Sequence, residues 1–190
     1  METTFTAGFI GLGLIGGSYA AALSQNGWEV GAIDPDPQAI AFAEKAGFIR
    51  HGRTEPEAEY VGKFDIVVFA LYPHVLLEWL EKYGPWLRDG ALATDVTGVK
   101  SGVVERAQAL LFPRVEFIGA HPMAGREVSG VENARADLFR GANYIVTPTA
   151  ANTEEAIACC ETLGRTLGAR NISRLTPKEH DEMIGFLSQL

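Results

Sequence analysis

Three glycines at fixed spacing, Gly11, Gly13 and Gly16, are the first residues whose types and positions could do chemistry. They stand between an apolar run typical of a buried strand and a segment with helical periodicity that begins at Leu14 and Ile15. Gly11 would permit a tight turn, Gly13 would let the backbone approach a pyrophosphate, and Gly16 would let helix and strand pack closely. The helix start would offer unpaired N–H groups to the phosphates. This stretch predicts a dinucleotide-binding turn.

An acid, Asp34, ends the second predicted strand, 18 residues after Gly16. An acid at this position accepts hydrogen bonds from an adenosine ribose, and its charge repels a 2′-phosphate. The spacing therefore predicts NAD rather than NADP as the cofactor. The alternative is that Asp34 only begins a turn, because the stretch 34–37 alternates aspartate with proline.

A histidine, His121, follows the predicted strand 115–119 in a loop of small residues. A histidine titrates near neutral pH and can accept a hydroxyl proton while a hydride leaves the same carbon. Beside a dinucleotide, His121 is therefore the candidate general base. A structural or solvated histidine is the alternative.

Polar residues also end the predicted strand 91–94. The side chains and backbone N–H groups of Thr94, Asp95 and Thr97 could hold nicotinamide or substrate, and Lys100 could offset negative charge. The alternative is an Asx turn followed by a helix start.

The elements that must position these residues alternate between strand and helix, which is typical of an α/β fold with a parallel sheet. We predict a Rossmann-like, doubly wound, mostly parallel sheet with helices on both faces. A short third strand is predicted at 48–49, and a loop or single helical turn at 51–59. Ligands of such sheets bind beyond the carboxyl ends of the strands, so Asp34, Tyr72 and His121 should line one crevice.

Composition limits the possible partners. The net charge of −8 argues against nucleic acid and anionic membranes. No apolar run reaches membrane-spanning length, and the first residues lack the basic start of a signal peptide, so a cytoplasmic location is expected. The adjacent Cys159 and Cys160 cannot form a disulfide framework, and the four histidines lack metal-site spacing, so no metal is expected.

The end of the sequence predicts a helix that continues. Residues 176–179 form a capping box with proline at the first helical position. No stop signal follows an apolar stripe that consists of Met183, Ile184, Leu187 and Leu190. We predict a dinucleotide-binding domain over 1–174 and, at 175–190, the first helix of a truncated helical domain. A short terminal helix docked on the sheet domain is the alternative.

Four stretches occur in the order found in prephenate dehydrogenases, a family that includes arogenate dehydrogenases. They are 11–18, 94–100, 121–130 and 177–181, and the sequence resembles the family over nearly its whole length. The stretch that begins at His121 is the most specific of the four.

The resemblance implies NAD-dependent oxidative decarboxylation of prephenate to 4-hydroxyphenylpyruvate, on the route to tyrosine. It implies that His121 hydrogen-bonds the ring hydroxyl and that Glu127 stands at the edge of the substrate pocket. The family often has Gly-Ser where this chain has Thr97-Gly98, so a serine hydroxyl is missing at 98 and Thr97 is the candidate replacement. The resemblance also implies a helical domain after residue 176 that dimerises and supplies an arginine for a substrate carboxylate.

Other functions stay open at this point. The chain could belong to an arogenate dehydrogenase or to another NAD-dependent hydroxy-acid dehydrogenase with a lysine or histidine base elsewhere. A dinucleotide-binding module without catalysis is the alternative from a different class. For an enzyme, the expected partners are a small-molecule substrate and a second copy of the full-length protein.

Overall fold

A computed structural model describes residues 5–187. Its strands are β1 (Thr6–Ile10), β2 (Glu29–Ile33), β3 (His51–Arg53), β4 (Ile66–Phe69), β5 (Leu92–Asp95), β6 (Glu116–Pro122), β7 (Asn143–Thr147) and β8 (Asn171–Arg174). Its α-helices are α1 (Leu14–Gln25), α2 (Pro37–Lys45), α3 (Ala58–Val61), α4 (Pro73–Tyr83), α5 (Val103–Leu111), α6 (Glu154–Thr166) and α7 (Pro177–Leu187). Short 3₁₀ helices occupy Gly84–Trp86 and Val131–Asn133.

The strands form one sheet in the order β3-β2-β1-β4-β5-β6-β7-β8. The first six are mutually parallel, β7 is antiparallel to β6, and β8 is parallel to β7. The order reverses at β1, because β2 lies on one side of it and β4 on the other. A ligand crevice is expected at such a reversal, outside the carboxyl ends of the strands.

Apolar side chains cover both faces of the sheet. One cluster includes Phe9, Tyr19 and Tyr144, and the other includes Phe69 and Leu76. Strands buried on both faces are almost continuously apolar, as β4 is. The predicted α/β fold, with a mostly parallel sheet between two layers of helices, is confirmed.

The third strand is not where the sequence pattern predicts it. Phe48 and Ile49 form the turn after α2, where both backbone N–H groups donate to the Ala43 carbonyl. The strand at this edge is instead β3, which begins at His51 within the predicted loop. β3 pairs with β2 although its side chains are not apolar, because an edge strand is only partly buried. The helical turn at 58–61 is present.

The last helix, α7, begins with the predicted capping box. The Thr176 hydroxyl accepts from the Glu179 N–H at 3.2 Å, and a Glu179 carboxylate oxygen accepts from the Thr176 N–H at 2.8 Å. α7 lies against β7, and its His180 side chain is fully buried. The predicted apolar stripe is described only in part, because Leu190 and the side chain of Leu187 lie outside the described residues. Within 5–187, the helices are too short or too polar to cross a bilayer.

Candidate functional site

The glycine turn after β1 has the geometry of a close backbone approach. Gly11 has a φ of +99°, and a Cβ built on it would lie 2.6 Å from the Ala70 carbonyl oxygen. A Cβ on Gly16 would lie 2.2 Å from the Gly11 oxygen, so α1 packs on the turn more closely than any side chain allows. A Cβ on Gly13 would meet no atom within 4 Å. Gly13 therefore leaves an open cradle at the start of α1, beside Leu14 and half-exposed Ile15.

The Asp34 carboxylate stands directly beside this turn. One oxygen accepts from the Leu12 N–H at 2.7 Å, and the other accepts from the Asp36 N–H at 2.9 Å. The second contact is the turn that the sequence alternative predicted. Each oxygen keeps a further acceptor site, so the carboxylate is held in place and can still bind a ligand hydroxyl.

A hollow of about 410 Å³ opens at Asp34. One wall is the turn at Leu12 and Gly13, and the opposite wall is the 3₁₀ helix that contains Glu132. Asp34, Asp36 and Glu132 line it, and the described lining contains no lysine or arginine. This charge favours sugar hydroxyls and disfavours an additional phosphate.

Beyond β5, an acid and a base form a buried ion pair. Both Asp95 and Lys100 are fully buried, and Lys100 Nζ lies 2.7 Å from each Asp95 carboxylate oxygen. The ammonium also donates to the Ala120 carbonyl at 2.7 Å, and the Ala120 N–H donates to Asp95 at 3.1 Å. Burial lowers the pKa of Lys100, and Asp95 acts in the opposite direction. The pair joins the end of β5 to β6.

This geometry differs from the roles in ligand binding that the sequence predicts for the side chains of Thr94, Asp95 and Thr97. Thr94 is fully buried with its hydroxyl 3.8 Å from Cys160 Sγ, so neither its side chain nor that of Asp95 reaches the crevice. The Thr97 hydroxyl has one proton and two acceptors, the Asp95 carboxylate and the Val99 carbonyl. It is therefore poorly placed to replace a serine hydroxyl at 98. These side chains shape the loop, and a cofactor could reach Thr94 and Asp95 only through their backbone.

His121 lies near the end of β6, and its ring is half-buried. Its Nδ1 is 2.9 Å from Nε2 of His180. The Cε1–Nε2 edge of the ring lies beside Gly98, since a Cβ on Gly98 would lie 3.6 Å from Cε1 and 3.8 Å from Nε2. Burial, followed by the charge of Lys100 and by His180, lowers the pKa of His121 to about 4. The ring is therefore neutral at pH 7 and can accept a proton.

Two other predicted residues lie at the surface. Glu127 is exposed in the loop after β6. Tyr72 is 77% exposed before α4, with its ring stacked on His74. Sequence reasoning assigned no role to His180 and Asp181, although their stretch belongs to the resemblance. Their contacts with the His121 and Lys100 loops join residues about 60 to 80 positions apart, so no local pattern reveals them.

The arrangement combines an open glycine cradle, a fixed acid beside it, and a neutral histidine at one edge of the sheet. Strands β1, β4, β5 and β6 are successive neighbours, so the cradle and His121 lie along one row of strand ends. A dinucleotide bound across this row would bring its far end toward His121. Such a site is suited to hydride transfer coupled to proton removal.

Comparisons with known proteins identify the family of the chain. The model of the family "Prephenate dehydrogenase, nucleotide-binding domain" matches residues 19–173. The prephenate dehydrogenase of Bacillus subtilis (strain 168) is 36% identical over 182 residues, covering 94% of this chain and 48% of that protein. The chain thus spans about half the length of the curated relative.

Two solved structures share the fold. Prephenate dehydrogenase from A. aeolicus, in complex with hydroxyphenyl propionate and NAD+, has a TM-score of 0.87 at 28% identity. That match covers 96% of this chain and 64% of the other. Synechocystis arogenate dehydrogenase has a TM-score of 0.89 at 30% identity, over 97% of this chain and 64% of the other. Because the family model matches well over half of its residues, the chain belongs to the prephenate dehydrogenase family, as its nucleotide-binding domain.

Proposed function

We propose that the chain binds NAD and, within a longer protein, oxidises prephenate to 4-hydroxyphenylpyruvate with loss of carbon dioxide. The observation that carries this proposal is the position of His121 near the end of β6, at the same sheet edge as the glycine cradle. The open space at Gly13 fits a pyrophosphate, and the Asp34 carboxylate fits ribose hydroxyls. The A. aeolicus complex contains NAD+ and hydroxyphenyl propionate, which supports a dinucleotide as the cofactor and a six-membered-ring acid as the substrate.

In the proposed reaction, the residues of this chain bind the cofactor and transfer one proton. N–H groups at the start of α1 bind the pyrophosphate. His121 accepts the proton of the substrate hydroxyl at Nε2. A bound NAD would supply the hydride acceptor for the carbon that bears this hydroxyl. Carbon dioxide leaves from the opposite ring carbon, the electrons of that bond enter the ring, and the resulting aromatic phenolate oxygen takes the proton back from His121.

The proposal has a direct test in the longer protein. NADH absorbance should rise with prephenate, and a faster rise with arogenate would favour the alternative suggested by the Synechocystis relative. No turnover of either substrate, with NAD still bound, would favour a non-catalytic module. Four expectations stay predictions: the place of Glu127 at the pocket edge, the helical domain from residue 175, the homodimer and the cytoplasmic location.

The charge of Asp34 should decide cofactor choice. We expect the chain to bind NAD more tightly than NADP by at least ~1–3 kcal/mol, because a 2′-phosphate would lose a hydrogen bond and meet a carboxylate. Asp34→Asn should narrow this difference while keeping an acceptor for the Leu12 N–H. Calorimetric titration with both cofactors measures it. Tighter binding of NADP than of NAD by the unmodified chain would contradict the assignment of Asp34 to the cofactor site.

Gly13→Ala should weaken NAD binding without weakening the fold. The added methyl group meets no atom within 4 Å, so the unfolding free energy should change little. In the complex the methyl group would occupy space needed by the pyrophosphate, and Kd should rise about tenfold or more, roughly 1.4 kcal/mol. Gly185→Ala on α7, which is equally unobstructed, is the matched control. Equal NAD affinity in the two variants would place the pyrophosphate elsewhere.

A further inference from the structure

A line of hydrogen bonds leads from His121 into the interior of the protein. Nδ1 of His121 lies 2.9 Å from Nε2 of the fully buried His180, and His180 Nδ1 lies 2.8 Å from Oδ1 of Asp181. The Asp181 carboxylate also accepts from the backbone N–H groups of Lys100 at 2.9 Å and Ser101 at 2.8 Å. The proposed function uses none of these contacts.

The charge state of Asp181 determines which atoms donate and which accept in these hydrogen bonds. Burial alone would raise its pKa, but the hydrogen bonds from His180, Ser101 and Lys100 outweigh burial and lower the pKa to about 2. At neutral pH the carboxylate has no proton, so His180 Nδ1 must be the donor. A neutral imidazole carries one N–H, so His180 Nε2 is then an acceptor.

The same logic fixes the protons of His121. If His180 Nε2 accepts, His121 Nδ1 must donate, and the single N–H of the neutral His121 ring is used there. Its Nε2, on the ring edge beside Gly98, then carries a lone pair. A solvated neutral histidine side chain prefers the opposite tautomer, with the proton on Nε2, and that nitrogen could then not accept a hydroxyl proton.

We propose that Asp181 and His180 are positioning residues that hold His121 in the tautomer with Nδ1 protonated and Nε2 free to accept a proton. The value of this tautomer for catalysis rests on the proposed function. In that reaction the substrate O–H bond breaks, an N–H bond forms at Nε2, and the positive charge is shared along His121 and His180 toward the Asp181 carboxylate.

Four ionisable groups act on His121 from the surrounding elements. Lys100 and His180 disfavour a proton on it, whereas Asp95 and Asp181 favour one. Burial and the charge of Lys100 keep the ring neutral at rest. The two carboxylates would stabilise the cation once the proton has arrived. The environment of the His121 base thus combines His180 and Asp181 of α7 with Asp95 of β5 and the nearby Lys100.

The tautomers can be read directly by nitrogen NMR on the 190-residue chain with ¹⁵N-labelled histidine, without cofactor or substrate. At pH 7 we expect His121 and His180 both to be protonated at Nδ1 and unprotonated at Nε2. The exposed His74 serves as the solvent reference. A His121 ring protonated at Nε2, or a His180 ring protonated at both nitrogens, would overturn the proposal. This spectrum requires no variant to fold.

Two variants then test the cause. His180→Phe removes the acceptor, so His121 should change to the Nε2-protonated tautomer. His180→Gln offers a carbonyl acceptor and an amide donor and should keep the original one. An unchanged tautomer in a folded His180→Phe would overturn the proposal. Because no turnover is measured, this result is independent of whether the longer protein oxidises prephenate.

Discussion

His121→Asn is expected to lower kcat by roughly 10²–10⁴ in the longer enzyme, the range for loss of a general base. Asparagine approximates the shape of the ring, but its amide cannot take up a proton at neutral pH. Affinity for NAD should stay nearly unchanged, because the glycine cradle and Asp34 lie beyond other strands of the sheet. Steady-state turnover of prephenate and calorimetry with NAD measure the two effects separately.

A matched control is available at the far edge of the sheet. His51→Asn changes the same residue type on β3, which lies five strands away from the β6 strand of His121, on the other side of the glycine turn. This variant should keep its kcat within a few-fold of the parent. If His121→Asn behaved like His51→Asn, His121 would be a structural residue and the proposed proton transfer would be wrong.

Asp95→Ala is expected to destabilise the fold by about 3–5 kcal/mol, the cost of removing one partner from a buried ion pair. Both carboxylate contacts of the Lys100 ammonium would disappear, and among the described residues its remaining hydrogen-bond acceptor would be the Ala120 carbonyl. The N–H groups of Ala120 and Thr97 would also lose their acceptor. Urea unfolding of the chain measures the loss.

Two further variants separate this effect from a general loss of charge. Asp137→Ala breaks the exposed ion pair with Arg135 and should change stability little, because exposed pairs are screened by water. Combining Asp95→Ala with Lys100→Met should recover part of the loss, because no unpaired charge would remain buried. If the single Asp95 variant were as stable as the Asp137 variant, the pair would not hold β5 to β6.

The sequence was sufficient for the parts of the site that local pattern determines. The glycine turn, Asp34 at a strand end and His121 after an apolar run depend on residues close together in the chain. Their convergence follows from the rule that parallel strands end at one edge. The strand at 51–53 was missed because an edge strand pairs through its backbone and needs no apolar signal.

The interior of the site could not be predicted in this way. Asp95 looks like a crevice residue by position, yet Lys100 and the β6 backbone bury it completely. His180 meets His121 across 59 residues of sequence, through the packing of α7 on the sheet. Burial and long-range contacts of this kind depend on how whole elements pack, which no short stretch encodes.

The most direct test of the central claim is a calorimetric titration of the 190-residue chain with NAD. The crevice that begins at Gly13 and Asp34 should give saturable binding with one NAD per chain. The same titration with NADP should show weaker binding. Absence of saturable heat with NAD, in a chain whose spectrum shows that it is folded, would contradict the assignment of this crevice as the cofactor site.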